Sequence, residues 1–227
     1  SSLQMLPTYV HRPIGSESGT FLALDFGGTN VRVAEVQLCR DGKTKINKLH
    51  KVSLKNNDEK HDYSGADVHV RDLFAFIARQ LAWVADGQQR ELGHSFSYAS
   101  RQTAIGRARF LDWSKEIKVS GLAGQDINEL LSEELARHKI ATVHPRAVLN
   151  DTTATLLAAA YTNREADLGS VCGTGHNTCY FESRPRHGHS TRPMAYNAEA
   201  GGFSRLLFSR FDEELDRDSE SPGKQRM

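Results

Sequence analysis

Leu24-Asp25-Phe26-Gly27-Gly28-Thr29-Asn30-Val31-Arg32-Val33 decides how this chain is read, because it sets a carboxylate, two adjacent glycines and a hydroxyl between two strand-like runs. Phe21 to Leu24 is a short apolar run, and Val31 to Val36 alternates Val, Arg, Val, Ala, Glu, Val, the period-two pattern of a strand with one buried face. The residues between them must turn the chain. Glycine has no Cβ, so Gly27 and Gly28 can take positive φ and let a polyanion approach backbone N–H groups closely. Thr29 and Asn30 add side-chain donors, and Arg32 adds a charged one. Asp25 would repel a phosphate unless a divalent cation lay between them, which makes it a candidate for holding Mg²⁺ directly or through water. Taken alone, the same residues also describe an ordinary Gly-Gly hairpin with a structural aspartate.

Three further segments bear on that choice. Ala147-Val148-Leu149 is a short apolar run that leads into Asn150-Asp151-Thr152-Thr153 and then into Ala154 to Tyr161, rich in Ala and Leu and read as a helix. Asp151 thus falls at a strand's carboxyl end and a helix's start, where open α/β sheets bind ligands. It is either an N-cap or a general base that takes a proton from an attacking hydroxyl. A second glycine turn, Gly173-Thr174-Gly175, lies between the strand-like segments of Leu168 to Tyr180, as though a nucleotide were gripped from both sides. Between Ser95 and Lys115, hydroxyls, an amide and an ammonium interleave with aromatic rings, a mixture suited to a polyhydroxy ligand.

Together these segments resemble the hexokinase family, the sugar kinases of the actin-like ATPase superfamily, from Met5-Leu6-Pro7 nearly to the last residue. The family's first phosphate motif resembles Asp25 to Val33, and its sugar-binding segment resembles Ser95 to Lys115, with Ser97, Ser114 and Lys115 at sugar-contacting places. Its Asn-Asp-Thr connecting motif falls on Asn150-Asp151-Thr152, its second phosphate motif on Gly173-Thr174-Gly175, and another sugar contact on Asn177. Its Glu-Trp-Gly-Ala-Phe segment falls on Glu199-Ala200-Gly201-Gly202-Phe203, so by analogy Glu199 accepts hydrogen bonds from sugar hydroxyls.

The resemblance implies an α/β fold of the actin-like ATPase (ribonuclease H-like) type, with mixed sheets and flanking helices in two lobes around a cleft. It divides the chain into an N-terminal segment over 1–20, a small domain over 21–149 and the start of a large domain over 150–227. The activity it implies is transfer of the γ-phosphoryl group of MgATP to the 6-hydroxyl of glucose or a similar hexose such as mannose or fructose, the first step of glycolysis. Asp151 would be the base, Asp25 the metal contact, and Asp25, Gly27, Gly28, Thr29, Asn30, Arg32, Gly173, Thr174 and Gly175 the nucleotide contacts.

The chain departs from the family pattern at Ala99 (usually Pro), Ser114 (Thr), Ala154 (Gly) and Ala200 (Trp). Ser114 keeps its hydroxyl, whereas Ala154 adds a methyl beside Asp151 and Ala200 removes a large aromatic beside Glu199. The family continues past the segment resembling Ser221-Pro222-Gly223-Lys224-Gln225 into a second sugar-binding Glu, an adenosine motif and the helix that completes the small domain. The resemblance therefore implies a missing C-terminal part. Two alternatives stay open: a sugar-binding or regulatory module without efficient kinase activity, and a piece of a longer polypeptide.

Composition narrows the class. A chain of 227 residues with formal net charge +1 has length enough for a sizeable core and no clustered basic face for nucleic acid. Cys39, Cys172 and Cys179 form a sparse, odd set without zinc spacing. With no apolar run long enough to span a bilayer and no signal-peptide pattern in Ser-Ser-Leu-Gln, the expectation is a cytoplasmic protein.

For the remaining chain, Asp41-Gly42 marks a turn before a third strand over Lys43 to Leu54, and Lys55 to Ser64 reads as a polar loop. Arg71 to Val84 has helical spacing, with Trp83 read as a packing residue. Asp126-x-x-Glu129 reads as a capping box for a helix to about His138, followed by a strand over Val143 to Leu149. Arg205 to Asp218 reads as an amphipathic helix with Leu206, Leu207, Phe208 and Phe211 to bury. His187-Gly188-His189 reads as a solvated loop rather than a metal site, and His94 and His176 are placed near the cleft.

Overall fold

A computed structural model describes residues 3–56, 58, 61–113, 117–173, 176–184, 193–203, 209–219 and 222. In chain order the strands and helices are β1 (Leu6–Pro7), β2 (Gly19–Phe26), β3 (Asn30–Leu38), β4 (Thr44–Ser53), β5 (Lys55–Asn56), β6 (His61–Asp62), α1 (Val70–Ala85), β7 (Arg90–Phe96), β8 (Ala99–Ala104), β9 (Arg107–Asp112), α2 (Ile127–Arg137), β10 (Val143–Leu149), α3 (Asp151–Thr162), β11 (Leu168–Cys172), β12 (His176–Glu182), β13 (Met194–Asn197) and α4 (Arg210–Arg217).

Two sheets organise them. In the first the order is β10-β7-β2-β3-β4. Its β2, β3 and β4 form an antiparallel meander, and β7 and β10 run parallel to β2 on the other side. In the second, of order β1-β13-β12-β11, all neighbours are antiparallel. The N-terminal segment thus crosses to the second sheet, where Leu6 pairs with Asn197 and Pro7 with Tyr196.

Alternation along the strands sends side chains to opposite faces. Leu22, Leu24 and Phe26 of β2, Val31 and Val33 of β3, and Leu92 and Phe96 of β7 are all buried in one core with Leu73, Ile77 and Leu81 of α1 and Leu130 and Leu131 of α2. Asp25 and Ser95 take the other face and meet there. The α1 helix starts where His69 accepts the Arg71 N–H and ends at Asp86, whose left-handed backbone donates back to the Ala82 carbonyl. Asp126 caps α2 through the N–H groups of Asn128 and Glu129. The reciprocal half of that box does not form, because the Glu129 carboxylate pairs with Arg107 instead, at 3.0 Å. On the second sheet α3 lies on β11 and β12, and a small cluster of Leu156, Cys179, Ala195 and Phe181 joins them.

Several expectations need correction. The Lys55 to Ser64 stretch contains a short antiparallel ladder of β5 and β6, because Tyr63 N–H donates back to the Leu54 carbonyl at 2.8 Å and closes the excursion. Trp83 is 56% exposed and packs only at the surface, beneath His50 and the Lys48 ammonium. His94 is buried on the helix-facing side of β7, bonded to Asn128, because alternation gives the cleft side to Ser95. The last helix begins at Arg210, where Ser209 and Asp212 form a capping box, and its Phe211 is 66% exposed. Leu206, Leu207, Phe208 and the His187-Gly188-His189 segment lie outside the described residues.

Candidate active site

Parallel pairing sets the site. Asp25 pairs with Ser95 and Ser95 with Leu149, so one row across three neighbouring strands leads to Asn150 and Asp151. At the usual strand spacing Asp25 and Leu149 are roughly 10 Å apart. The chain leaves β10 there and enters α3, and Asn150 rather than Asp151 is the N-cap, its Oδ1 accepting the Thr152 N–H at 2.9 Å. Asp151, the first residue of α3, shares that N–H with Asn150 through one carboxylate oxygen. Its Oδ1 takes the Thr152 N–H at 2.8 Å, and among the described residues its Oδ2 has no partner.

On the first glycine turn, Asp25 accepts Arg32 Nη1 at 2.6 Å on Oδ2 and Ser95 Oγ at 2.9 Å on Oδ1. Arg32 is thereby engaged with Asp25 rather than pointing out alone. Gly27 donates its N–H to the Asn30 carbonyl at 3.2 Å, and Asn30 Nδ2 reaches Thr29 Oγ1 at 2.8 Å. Gly27 does not use a positive φ; what it supplies is space, since a Cβ there would meet only the Asn30 carbonyl, at 3.8 Å. Gly28 completes the same turn. Ser97 N–H donates to the Phe26 carbonyl at 3.3 Å, and Tyr98 hydroxyl to the Gly27 carbonyl at 3.4 Å, so the turn rests on the chain that follows β7.

On the opposite side, Gly173 follows β11 with nothing within 4 Å of a built Cβ. Thr174 and Gly175, like Ser114 and Lys115, lie outside the described residues. Asn177, just past that turn, brings Nδ2 to 3.4 Å from Asn150 Oδ1 and 2.9 Å from Asn197 Oδ1. Asn197 Nδ2 in turn donates to Glu199 Oε1 at 2.8 Å. Glu199 holds a left-handed backbone, φ 52° and ψ 51°, a conformation that costs of order 1 kcal/mol outside glycine and clusters at functional sites. Burial pushes its carboxyl pKa up, the Asn197 hydrogen bond opposes that, and the Asp151 charge adds to it. The two carboxylates therefore share one neighbourhood.

Tyr98, Ser100, Gln102, Asn150, Asn197 and Glu199 line a common crevice with Leu6 and Pro7. Its free volume is about 10 Å³, room for about one water molecule. A wider hollow of about 470 Å³ between α2 and β10 contains none of these residues. The crevice thus joins Asn150, Asn197 and Glu199, with Asn177 bonded behind Asn150 and Asn197, Asp151 next in sequence to Asn150, and the first glycine turn held on by Tyr98. Gln102 is the amide of the Ser95 to Lys115 segment singled out above, whereas Asn197 carries no sequence motif, its one hint being the Asn-Ala-Glu spacing ahead of Glu199, typical of a side chain that bends its own backbone.

Among the described residues no group of three or more His, Cys, Asp or Glu could hold a metal. A single carboxylate at Asp25 is still what Mg²⁺ takes when substrate phosphates and water complete its shell.

Two family models, both described as Hexokinase, match residues 1–161 and 167–227. Mouse Hexokinase-3 is 34% identical over 100% of this chain and 25% of its own length. Hexokinase-like 1 protein of Arabidopsis thaliana is 36% identical over 98% of this chain and 47% of its own. The chain thus spans between a quarter and about half of these relatives. A crystal structure of hexokinase superposes with TM-score 0.81 at 29% identity, covering 97% of this chain and 51% of that one. The hexokinase of Schistosoma mansoni, complexed with glucose, superposes with TM-score 0.79 at 31% identity over 99% of this chain and 52% of that one. Both share the actin-like sugar-kinase fold of mixed sheets and flanking helices seen here. With matching family models over nearly its whole length and the same fold, the chain belongs to the hexokinase family.

Proposed function

We propose that this chain forms the sugar site and phosphate turns of an ATP-dependent hexose kinase, which moves the γ-phosphoryl group of MgATP to the 6-hydroxyl of glucose or a similar hexose. One observation carries the reading: the Asp151 carboxylate, whose Oδ2 has no partner among the described residues, follows Asn150 at the edge of a crevice that Asn150 shares with Glu199 and that is wired to Asn177. Asp151 is the base that orients and deprotonates the hydroxyl. Asn150, Asn177 and Glu199 hold the other hydroxyls, together with Ser97, Ser114 and Lys115. The two glycine turns cradle phosphate oxygens through backbone N–H groups, and Asp25 holds Mg²⁺ directly or through water. A similar protein was crystallised with glucose, and it superposes along 99% of this chain.

Catalysis of this kind is positioning and charge neutralisation. A crevice with about 10 Å³ of free space admits a hexose only when the lobes part, and their return excludes water. The lobes in this reading are residues 21–149 and 150–227. Its setting is the cytoplasm, which suits the free thiols of Cys39, Cys172 and Cys179; among the described residues no helix is long and apolar enough to cross a membrane.

A coupled assay with glucose and MgATP tests the reading. In Asp151→Asn turnover falls by roughly 10²- to 10⁴-fold, the usual worth of a general base, while calorimetry shows glucose binding retained. Undiminished turnover contradicts it, and glucose binding without turnover in the unaltered chain favours a sugar-binding module.

A further inference from the structure

We propose that Asn197 is the positioning residue of this site, aiming the Glu199 carboxylate at the ligand and fastening it to the Asn177 amide behind; this rests on the hexose-kinase reading. Asn197 ends β13, is 4% exposed and lines the crevice. Its Nδ2 donates to Glu199 Oε1 at 2.8 Å. Its Oδ1 accepts Asn177 Nδ2 at 2.9 Å and the Glu199 N–H at 3.3 Å.

Those partners fix the amide in one orientation. Flipped, its oxygen would face the Glu199 carboxylate, and its NH₂ would face two donors. The bond from the Glu199 N–H closes a turn of two residues, the kind an Asn side chain makes to the backbone ahead of it, and Glu199 is left-handed just there. Asn177 is pinned from its other end as well, because its Oδ1 accepts the N–H groups of Ala200 at 3.1 Å and Thr178 at 2.8 Å. A chain of amides therefore runs from Glu199 through Asn197 and Asn177 to Asn150 at the start of α3. Each link has one donor and one acceptor in place. Removing the middle link leaves Glu199 with burial and the Asp151 charge acting on it and no opposing donor.

The test compares Asn197→Ala and Asn197→Asp, the second nearly isosteric so that folding is kept while donor becomes acceptor. Carbon NMR of the Glu199 carboxyl without ligand should show its titration midpoint rising in Asn197→Ala and again in Asn197→Asp. Calorimetry should show glucose bound at least roughly tenfold more weakly in Asn197→Ala, the worth of a hydrogen bond to a charged group, with little further loss when Glu199→Gln is added. An unmoved midpoint in both variants overturns the proposal even if sugar binding falls, since a purely structural Asn would behave so. Should the unaltered chain bind no glucose, the kinase reading fails, and the ligand-free titration still decides whether Asn197 governs Glu199.

Discussion

Asp151, proposed here as the base, and His94 show how little separates a polar side chain on a crevice from one in the core. Both follow strand residues of the first sheet, and both meet an Asn: Asn150 shares the Thr152 N–H with Asp151, and Asn128 Oδ1 accepts from His94 Nε2 at 2.9 Å. Asn128 spends its NH₂ on the Gly106 carbonyl at 3.1 Å, so its oxygen faces the ring and the neutral imidazole carries its proton on Nε2. Burial lowers the His94 pKa from 6.5 to about 4, against the pull of Asn128 and Asp126. The unfolded chain takes up that proton near pH 6.5 and the folded one only near about 4. Protons therefore favour unfolding between those values. Stability is fully present above pH 6.5 and falls by about 3 kcal/mol toward pH 4 on this account. Urea unfolding across that range checks it, and His94→Gln, which still offers Asn128 an N–H, flattens the slope. A slope unchanged by the substitution contradicts the assignment. From sequence, His94 looked like a cleft residue because it neighbours Ser95; which face a strand residue takes depends on register, and one step along β7 decided it.

Elements were legible where local chemistry repeats. The meander of β2, β3 and β4 followed from alternation and turn residues, and α1, α2 and α3 from apolar spacing and caps. Non-local pairing left no such signal. Leu6-Pro7 joins β13 almost the full length of the chain away, and β5 with β6 arises from one backbone bond to Leu54. Asn197 belongs to the same class, since its partners come from β12 and the turn after β13. The seating of α3 on the second sheet is another close fit the sequence did not show. A Cβ at Gly169 would lie 2.8 Å from Leu156 Cβ and 3.0 Å from the α3 backbone, and a helix backbone cannot yield as a side-chain end can. Gly169→Ala should cost about 1–3 kcal/mol through this overpacking. Gly93→Ala, with nothing within 4 Å of the added carbon, should stay within about 0.5 kcal/mol. Thermal unfolding of the pair measures the difference, and equal midpoints would show that α3 and β11 are not in this contact.

Across the whole molecule, α3 links the two sheets, lying on β11 and β12 and reaching β7 as well. Tyr161 near the end of α3 shares its single hydroxyl proton between the Glu17 carbonyl, at 2.9 Å, and the Cys39 carbonyl just past β3. Gly42 in the following turn approaches the Tyr161 carbonyl, which would lie 3.2 Å from a Cβ there. The far end of α3 is thus tied to the N-terminal segment and to the turn after β3, while its N-terminus carries Asp151. A ligand that draws the lobes together stabilises the folded chain by mass action. At a glucose concentration 100 times its Kd the gain should be about 2.7 kcal/mol, read as a rise in thermal midpoint that xylitol or another non-cyclic polyol does not reproduce. The most direct measurement is a crystal structure of this chain with glucose and a nonhydrolysable ATP analogue bound. The account predicts the sugar's 6-hydroxyl roughly 2.6–3.2 Å from the Asp151 carboxylate, its other hydroxyls on Asn150, Asn177 and Glu199, and phosphate oxygens on both glycine turns. A sugar bound away from the crevice, or an Asp151 side chain turned from the bound sugar, would contradict it.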